Sequence, residues 1–156
     1  MSFDQVLRKY FADGNWKVAE GQSGWNNTTR FIEADGTRWV LRIYETHKDE
    51  AKIRYEHEIL LALNELSLPF KVPMPIPNID GSTIVRLEDG SERLACLFTY
   101  IEGQRPEEGS LEMGYAFGVA TGQLSKALAN VMVTGRPYIL HIMKWIRLTP
   151  CVLQTE

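Results

Sequence analysis

An α+β fold, an antiparallel sheet followed by helices, is predicted by three observations. Asp35-Gly36 sits between two β-rich runs, a second turn-rich segment at Glu88-Asp89-Gly90-Ser91-Glu92 separates two more, and two long runs carry apolar residues at helical spacing. Glycine supplies the positive φ that a short hairpin turn needs, so the first pair of runs is expected to fold back on itself.

In chain order, 2–11 places Phe3, Val6, Leu7, Tyr10 and Phe11 at helical spacing, with Ser2 or Asp4 available as a cap. Trp16 to Glu20 alternates as a short strand. It leads into Gly21-Gln22-Ser23-Gly24-Trp25-Asn26-Asn27, which is either a plain hairpin loop or a loop whose backbone amides can approach a phosphate closely. The hairpin arms are Thr28 to Glu33 and Arg38 to Tyr44. Alternation puts Trp39, Leu41 and Ile43 on one face of the second arm and Val40, Arg42 and Tyr44 on the other.

A helix is expected from Thr46, with Asp49 completing a capping-box spacing, to about Leu66. Ile53, Leu60 and Leu63 share one stripe, and Glu56 falls on it. A carboxylate on a core-facing stripe needs a partner, and Arg42 is a candidate. The alternative is that Arg42 reaches solvent and Glu56 rims the helix. Pro69, Pro73, Pro75 and Pro77 then exclude helix and disfavour a central strand. Thr83 to Leu87 and Leu94 to Ile101 form the second hairpin, and the nearly all-apolar second arm predicts a doubly buried strand. The run Leu111 to Leu128 is helical in spacing. Gly114, Gly118 and Gly122 each cost about 1 kcal/mol there relative to Ala, so close packing on a neighbour is expected.

Composition narrows the function. A length of 156 residues with 44% hydrophobic and 24% charged residues fits a globular fold with one domain or little more. A net charge of -3 and no basic stripe argue against nucleic acid as a partner. Cys96 and Cys151 are too few for a disulfide framework. With no secretory signal and no apolar run long enough to span a bilayer, the expected location is the cytoplasm, with no membrane partner. The sequons at Asn26 and Asn27 then have no bearing.

The order of these segments resembles the aminoglycoside phosphotransferase-like kinases, a family that includes choline kinases and homoserine-kinase-like enzymes. The resemblance is carried from Trp16 to Leu128 by several stretches. These are the Gly-Ser-Asn turn, Trp39-Val40-Leu41-Arg42-Ile43-Tyr44, Glu56-His57-Glu58-Ile59-Leu60-Leu61-Ala62-Leu63, the Val72-Pro73-Met74-Pro75-Ile76-Pro77 connector, and Leu97-Phe98-Thr99-Tyr100-Ile101-Glu102-Gly103. It implies a kinase-like nucleotide-binding lobe over 1–103, a five-stranded antiparallel sheet with one crossing helix. A helical segment over 104–156 would begin a second lobe. It also implies ATP as cofactor, as Mg-ATP in a complete family member.

On that resemblance Arg42 holds the place of a phosphate-contacting lysine and Glu56 orients it, with Glu58 as the alternative. The exchange matters because a guanidinium is a planar fork and an ammonium a point charge. Gly24 and Asn26 belong to the phosphate loop, Val40 lies against adenine, Phe98 stands behind it, and the backbones of Thr99 and Ile101 meet its edge. Family members also carry a His-Gly-Asp type loop, an asparagine and a further aspartate for acceptor and Mg2+. Here the last aspartate is Asp89 and the only later histidine is His141, so no catalytic residue or metal ligand is assigned. Ser125 stands where relatives often carry histidine.

The expected role is the ATP-binding portion of a small-molecule kinase, inactive as this chain, with a small hydroxylated substrate only if the missing lobe is supplied. The alternatives are a non-catalytic nucleotide-binding or protein-interaction module, and an unrelated α+β domain in which Arg42 and Glu56 are a structural pair. Residues 131–156 match no familiar pattern. They read either as a terminal helix with Ile139, Ile142, Met143 and Ile146 on one face, or as a tail foreign to the family. Apolar surface left uncovered there predicts a homo-oligomer through 111–153.

Overall fold

The computed structural model describes residues 3–12, 14–21, 26–46, 48–103 and 109–134. The described elements are α1 (Asp4–Leu7), β1 (Trp16–Glu20), β2 (Asn27–Ala34), β3 (Thr37–Tyr44), α2 (Glu50–Asn64), β4 (Pro75–Ile76), β5 (Val85–Arg86), β6 (Leu94–Thr99) and α3 (Leu111–Leu128). They form two compact units, Met1–Arg54 with Met74–Tyr100, and Tyr55–Pro73 with Ile101–Glu156.

The first unit is an antiparallel sheet in the order β1-β2-β3-β6, with β4 and β5 both paired to β6. Because β3 runs along the whole of β6, the two short strands share its other edge, at Phe98–Leu97 and Ala95–Leu94 respectively. The predicted five-stranded sheet is therefore present as five rows, the last of them in two pieces. Pro75 is accommodated because it lies on this outer row, where a missing donor costs little.

The first hairpin forms as its turn predicts. Asp35 has φ 52° and Gly36 φ 70°, two consecutive left-handed residues that match the strand twist, and Ala34 pairs with Thr37. One face of the sheet carries Ile32, Ala34, Leu41, Ile43, Val85, Ala95 and Leu97. Val6 and Leu7 of α1 and the half-buried Phe3, Tyr10 and Phe11 pack on that face. Each large aliphatic side chain buried there contributes roughly 1.5–3 kcal/mol. Ile79 N donates to Lys9 O at 2.9 Å, which pins the β4–β5 connector to this N-terminal segment. The predicted doubly buried strand is β6, in which Leu94, Ala95, Cys96, Leu97 and Phe98 are all buried.

Three details differ from the sequence expectation. Helix α1 is shorter than 2–11, and Asp4 does not cap it; its carboxylate accepts from Trp16 Nε1 at 3.1 Å. At α2 the cap is Asp49, whose Oδ1 accepts from Ala51 N at 3.1 Å, while Thr46 donates its hydroxyl to Asn26. The glycines of α3 have no close neighbour: a Cβ added at Gly114, Gly118 or Gly122 meets nothing within 4 Å among the described residues. Helix α3 itself spans the predicted range, and Ser110 Oγ caps it by accepting from Met113 N at 3.3 Å.

In the second unit, Ile59 and Leu63 of α2 and Ala127 of α3 form a small buried cluster with Tyr55, Leu68, Val72, Leu124, Leu128, Val131 and Val133 around it. Glu58 lies outside that cluster and accepts from Thr134 N and Oγ1, both at 3.3 Å. Leu111 and Tyr115 of α3 are 91% and 78% exposed. Among the described residues no helix is long and apolar enough to cross a membrane.

A polar cluster closes one end of the sheet. Arg93 donates to Glu45 at 2.8 Å and to Asp89 at 2.7 Å, and Thr28 donates to Glu45 at 2.7 Å. Burial pulls the Glu45 carboxyl upward, but the hydrogen bonds from Thr28 and Arg93 outweigh it and leave it below the ordinary range. Asp89 is lowered as well, first by its bonds from Ser91. Groups with depressed folded values stabilise above their unfolded pKa and lose that contribution as pH falls through the folded value. Arg93→Ala is expected to lower the melting temperature at neutral pH by roughly 2–4 °C, with the gap closing as Glu45 and Asp89 protonate. Paired melting curves across acid pH measure it; a gap independent of pH contradicts the assignment.

Candidate functional site

Strand alternation and register bring four of the sequence-predicted residues together in the first unit. Val40 stands opposite Phe98 and Arg42 opposite Cys96, so all four side chains leave the sheet on the face away from α1. Thr29 and Phe31 of β2 join the same face opposite Arg42 and Val40. Thr99 follows Phe98 at the end of β6.

Arg42 is 8% exposed, and its guanidinium carbon lies 5.3 Å from the Phe98 ring centroid. A charge this well covered is held by its surroundings, and the aromatic face supplies part of that attraction. Val40 is only half-buried, so the strand passes from covered cation to accessible aliphatic surface within two residues. That gradient suits a ligand with an apolar ring at one end and anionic groups at the other.

In the second unit, Glu56 is 9% exposed and faces inward with Ile53, Leu60 and Leu63, as its stripe predicts. His57, one position on, is buried too. Sequence reasoning passed over it, although its spacing from Ile53 and Leu60 places it beside the same stripe. Ile101 lies half-buried in the irregular segment beyond β6.

The loop residues divide. Gly24 lies outside the described residues. Asn26 is described, and its side-chain oxygen accepts from Thr46 Oγ1 at 3.3 Å while its carbonyl accepts from Glu45 N at 3.0 Å. Its side chain therefore anchors the loop to the end of β3. Gly21, where β1 ends, has a firm steric role: a Cβ there would stand 2.8 Å from the Thr29 carbonyl oxygen.

Three aromatic and cationic groups were not singled out from the sequence. Phe31 and Tyr100 meet edge to face at 5.6 Å and 83°, and Arg38 lies 3.8 Å above the Tyr100 ring. Tyr100 is two residues beyond Phe98, so the period-two pattern held the signal. This stack fixes the chain where β6 gives way to Ile101.

The family profile of the phosphotransferase enzyme family matches residues 17–147. The chain belongs to this family. A comparison with curated protein sequences finds no match. Among solved structures, an aminopropanol kinase associated with a microcompartment is similar at 23% identity and TM-score 0.64, covering 79% of this chain and 38% of its own. An amicoumacin kinase, in complex with AMP-PNP, Ca2+ and its antibiotic, is similar at 16% identity and TM-score 0.69, covering 88% of this chain and 44% of its own. A spectinomycin phosphotransferase bound to ADP and spectinomycin follows at 10% identity and TM-score 0.55, covering 84% and 37%. At these identities the likeness establishes the fold: the sheet with its helix is the kinase-like N-terminal lobe of phosphotransferases. The chain spans about two-fifths of the length of these relatives.

Family membership implies Mg2+ beside the nucleotide. Among the described residues no group of three or more His, Cys, Asp or Glu side chains could hold a metal ion. The described residues do not fit a Mg2+ ligand set, and no chemistry is assigned to one.

Gly21→Ala is expected to destabilise the chain by about 1–3 kcal/mol, because a backbone oxygen cannot move aside as a flexible side chain can. Urea unfolding measures it, and a cost near zero would remove the steric role.

Proposed function

We propose that this chain binds the adenine nucleotide of a small-molecule phosphotransferase and does not itself complete phosphoryl transfer. The observation that carries the reading is Arg42, a covered cation on the sheet face that also bears Val40 and Phe98. In this reading the aliphatic side chain of Val40 takes the purine face, Phe98 closes the rear, and the backbones of Thr99 and Ile101 meet the base edge. Arg42 holds a phosphate and Glu56 orients it. Gly24 approaches the phosphates by its backbone, and Asn26 supports the loop rather than touching the ligand. That amicoumacin kinase and spectinomycin phosphotransferase were solved with AMP-PNP and ADP supports a nucleotide as the ligand.

When bound, ATP supplies the transferable phosphoryl group. Transfer also needs oxygen ligands for Mg2+ and a residue to orient the acceptor hydroxyl. The last aspartate of the sequence, Asp89, sits in the turn before β6, so these groups are not available on the Arg42 face. A hydroxylated acceptor accordingly belongs to a protein that also carries the rest of the relatives' length. A cytoplasmic setting, where ATP is supplied, fits the same reading, and we retain a lobe over 1–103 with a helical segment over 104–156 as its division. The exposed Leu111 and Tyr115 favour self-association through the helical segment as an accompanying property.

Millimolar Mg-ATP is expected to raise the melting temperature by roughly 2–5 °C, the size that mass action gives at about ten times Kd. Arg42→Ala should abolish the shift, and Arg42→Lys should retain part of it because the point charge survives. A chain that melts alike with and without Mg-ATP favours the protein-interaction module, and measurable phosphoryl transfer to any acceptor overturns the assignment as inactive.

A further inference from the structure

Resting on the nucleotide reading above, the geometry at the end of β6 assigns a task to one hydroxyl. In an antiparallel ladder, two residues that face each other normally exchange both bonds, N–H to carbonyl in each direction. Thr99 N donates to Met74 O at 3.0 Å, so these two residues face one another just before β4 begins. The return bond is replaced. Met74 N donates to Thr99 Oγ1 at 2.9 Å, not to the Thr99 carbonyl.

The Thr99 carbonyl shares the edge of its own N–H, the edge on which β4 starts. Pro75, next after Met74, has no N–H to offer. The hydroxyl thus takes the one backbone donor that ordinary pairing would have sent to that carbonyl.

We propose that Thr99 is a specificity-setting positioning residue: its hydroxyl occupies the Met74 N–H so that its carbonyl is kept for the 6-amino group of adenine. An amino group donates to a carbonyl, whereas the 6-oxo group of hypoxanthine would set one acceptor against another. The hydroxyl touches no ligand. It acts by withholding a competitor from the atom that does.

The test uses the 156-residue chain, titrated calorimetrically with Mg-ATP and Mg-ITP, with circular dichroism of each ligand-free variant as the folding check. The unsubstituted chain should prefer ATP over ITP by about 3- to 10-fold, the worth of one hydrogen bond. In Thr99→Val the Met74 N–H turns to the carbonyl, so ATP should bind roughly 3- to 10-fold more weakly while ITP stays level or tightens. Thr99→Ser keeps the hydroxyl and should keep both the ATP affinity and the preference.

Equal losses for ATP and ITP in Thr99→Val would indicate a merely structural role and overturn the inference. So would a Thr99→Val variant that binds ATP as tightly as the unsubstituted chain, or an unsubstituted chain with no preference between the two nucleotides. That last result needs no variant to fold. Failure of the unsubstituted chain to bind either nucleotide overturns the nucleotide reading itself, which separates the two outcomes.

Discussion

Strand β6 is the constraint on which the first unit depends. Its neighbours occupy both edges, β3 along one and β4 and β5 along the other, and its residues from Leu94 to Phe98 are buried whichever face they point to. A strand so placed can hold almost nothing but apolar side chains, which is why Leu94-Ala95-Cys96-Leu97-Phe98 carries no charge. The polar work of the candidate site is displaced to its ends and neighbours: Arg42 across the ladder, Thr99 at the terminus, and the Arg93 cluster just before the strand begins.

Much of this was legible in the chain because it obeys local rules. Asp35-Gly36 dictates a tight turn through positive φ, and from that turn the alternation of β3 follows, including the placement of Arg42 with Val40. Apolar periodicity set α3 to the residue and marked Glu56 as inward-facing. The expected packing of the α3 glycines failed for an instructive reason. Glycine spacing says that a neighbour can come close, but only a facing element can say whether one does.

What was illegible depended on register between segments distant in sequence. Nothing in the sequence near Met74 announces that its N–H meets the hydroxyl of Thr99. Nor does Thr46 advertise that it leaves the capping role to Asp49 in order to bond Asn26. Asp, Ser and Thr hydrogen-bond equally well to several nearby groups, so which bond they make is decided by tertiary geometry. The Arg38–Tyr100–Phe31 stack is of the same kind, joining three strands that only the folded sheet brings together.

The sheet also has an order of assembly built into it. β1, β2 and β3 are joined by short connections, so their pairing closes small loops, whereas Val40 meets Phe98 and Arg42 meets Cys96 only after roughly fifty intervening residues have been drawn in. Non-local closure is the slow kind, so the meander should gain protected amides before β6 does, an order that pulsed hydrogen exchange would resolve. The ligand-facing surface is then the seam of the fold, the place where an early-formed half is stitched to a late one. A molecule bound across that seam holds the two halves together, and its loss reopens the structure where folding finished last.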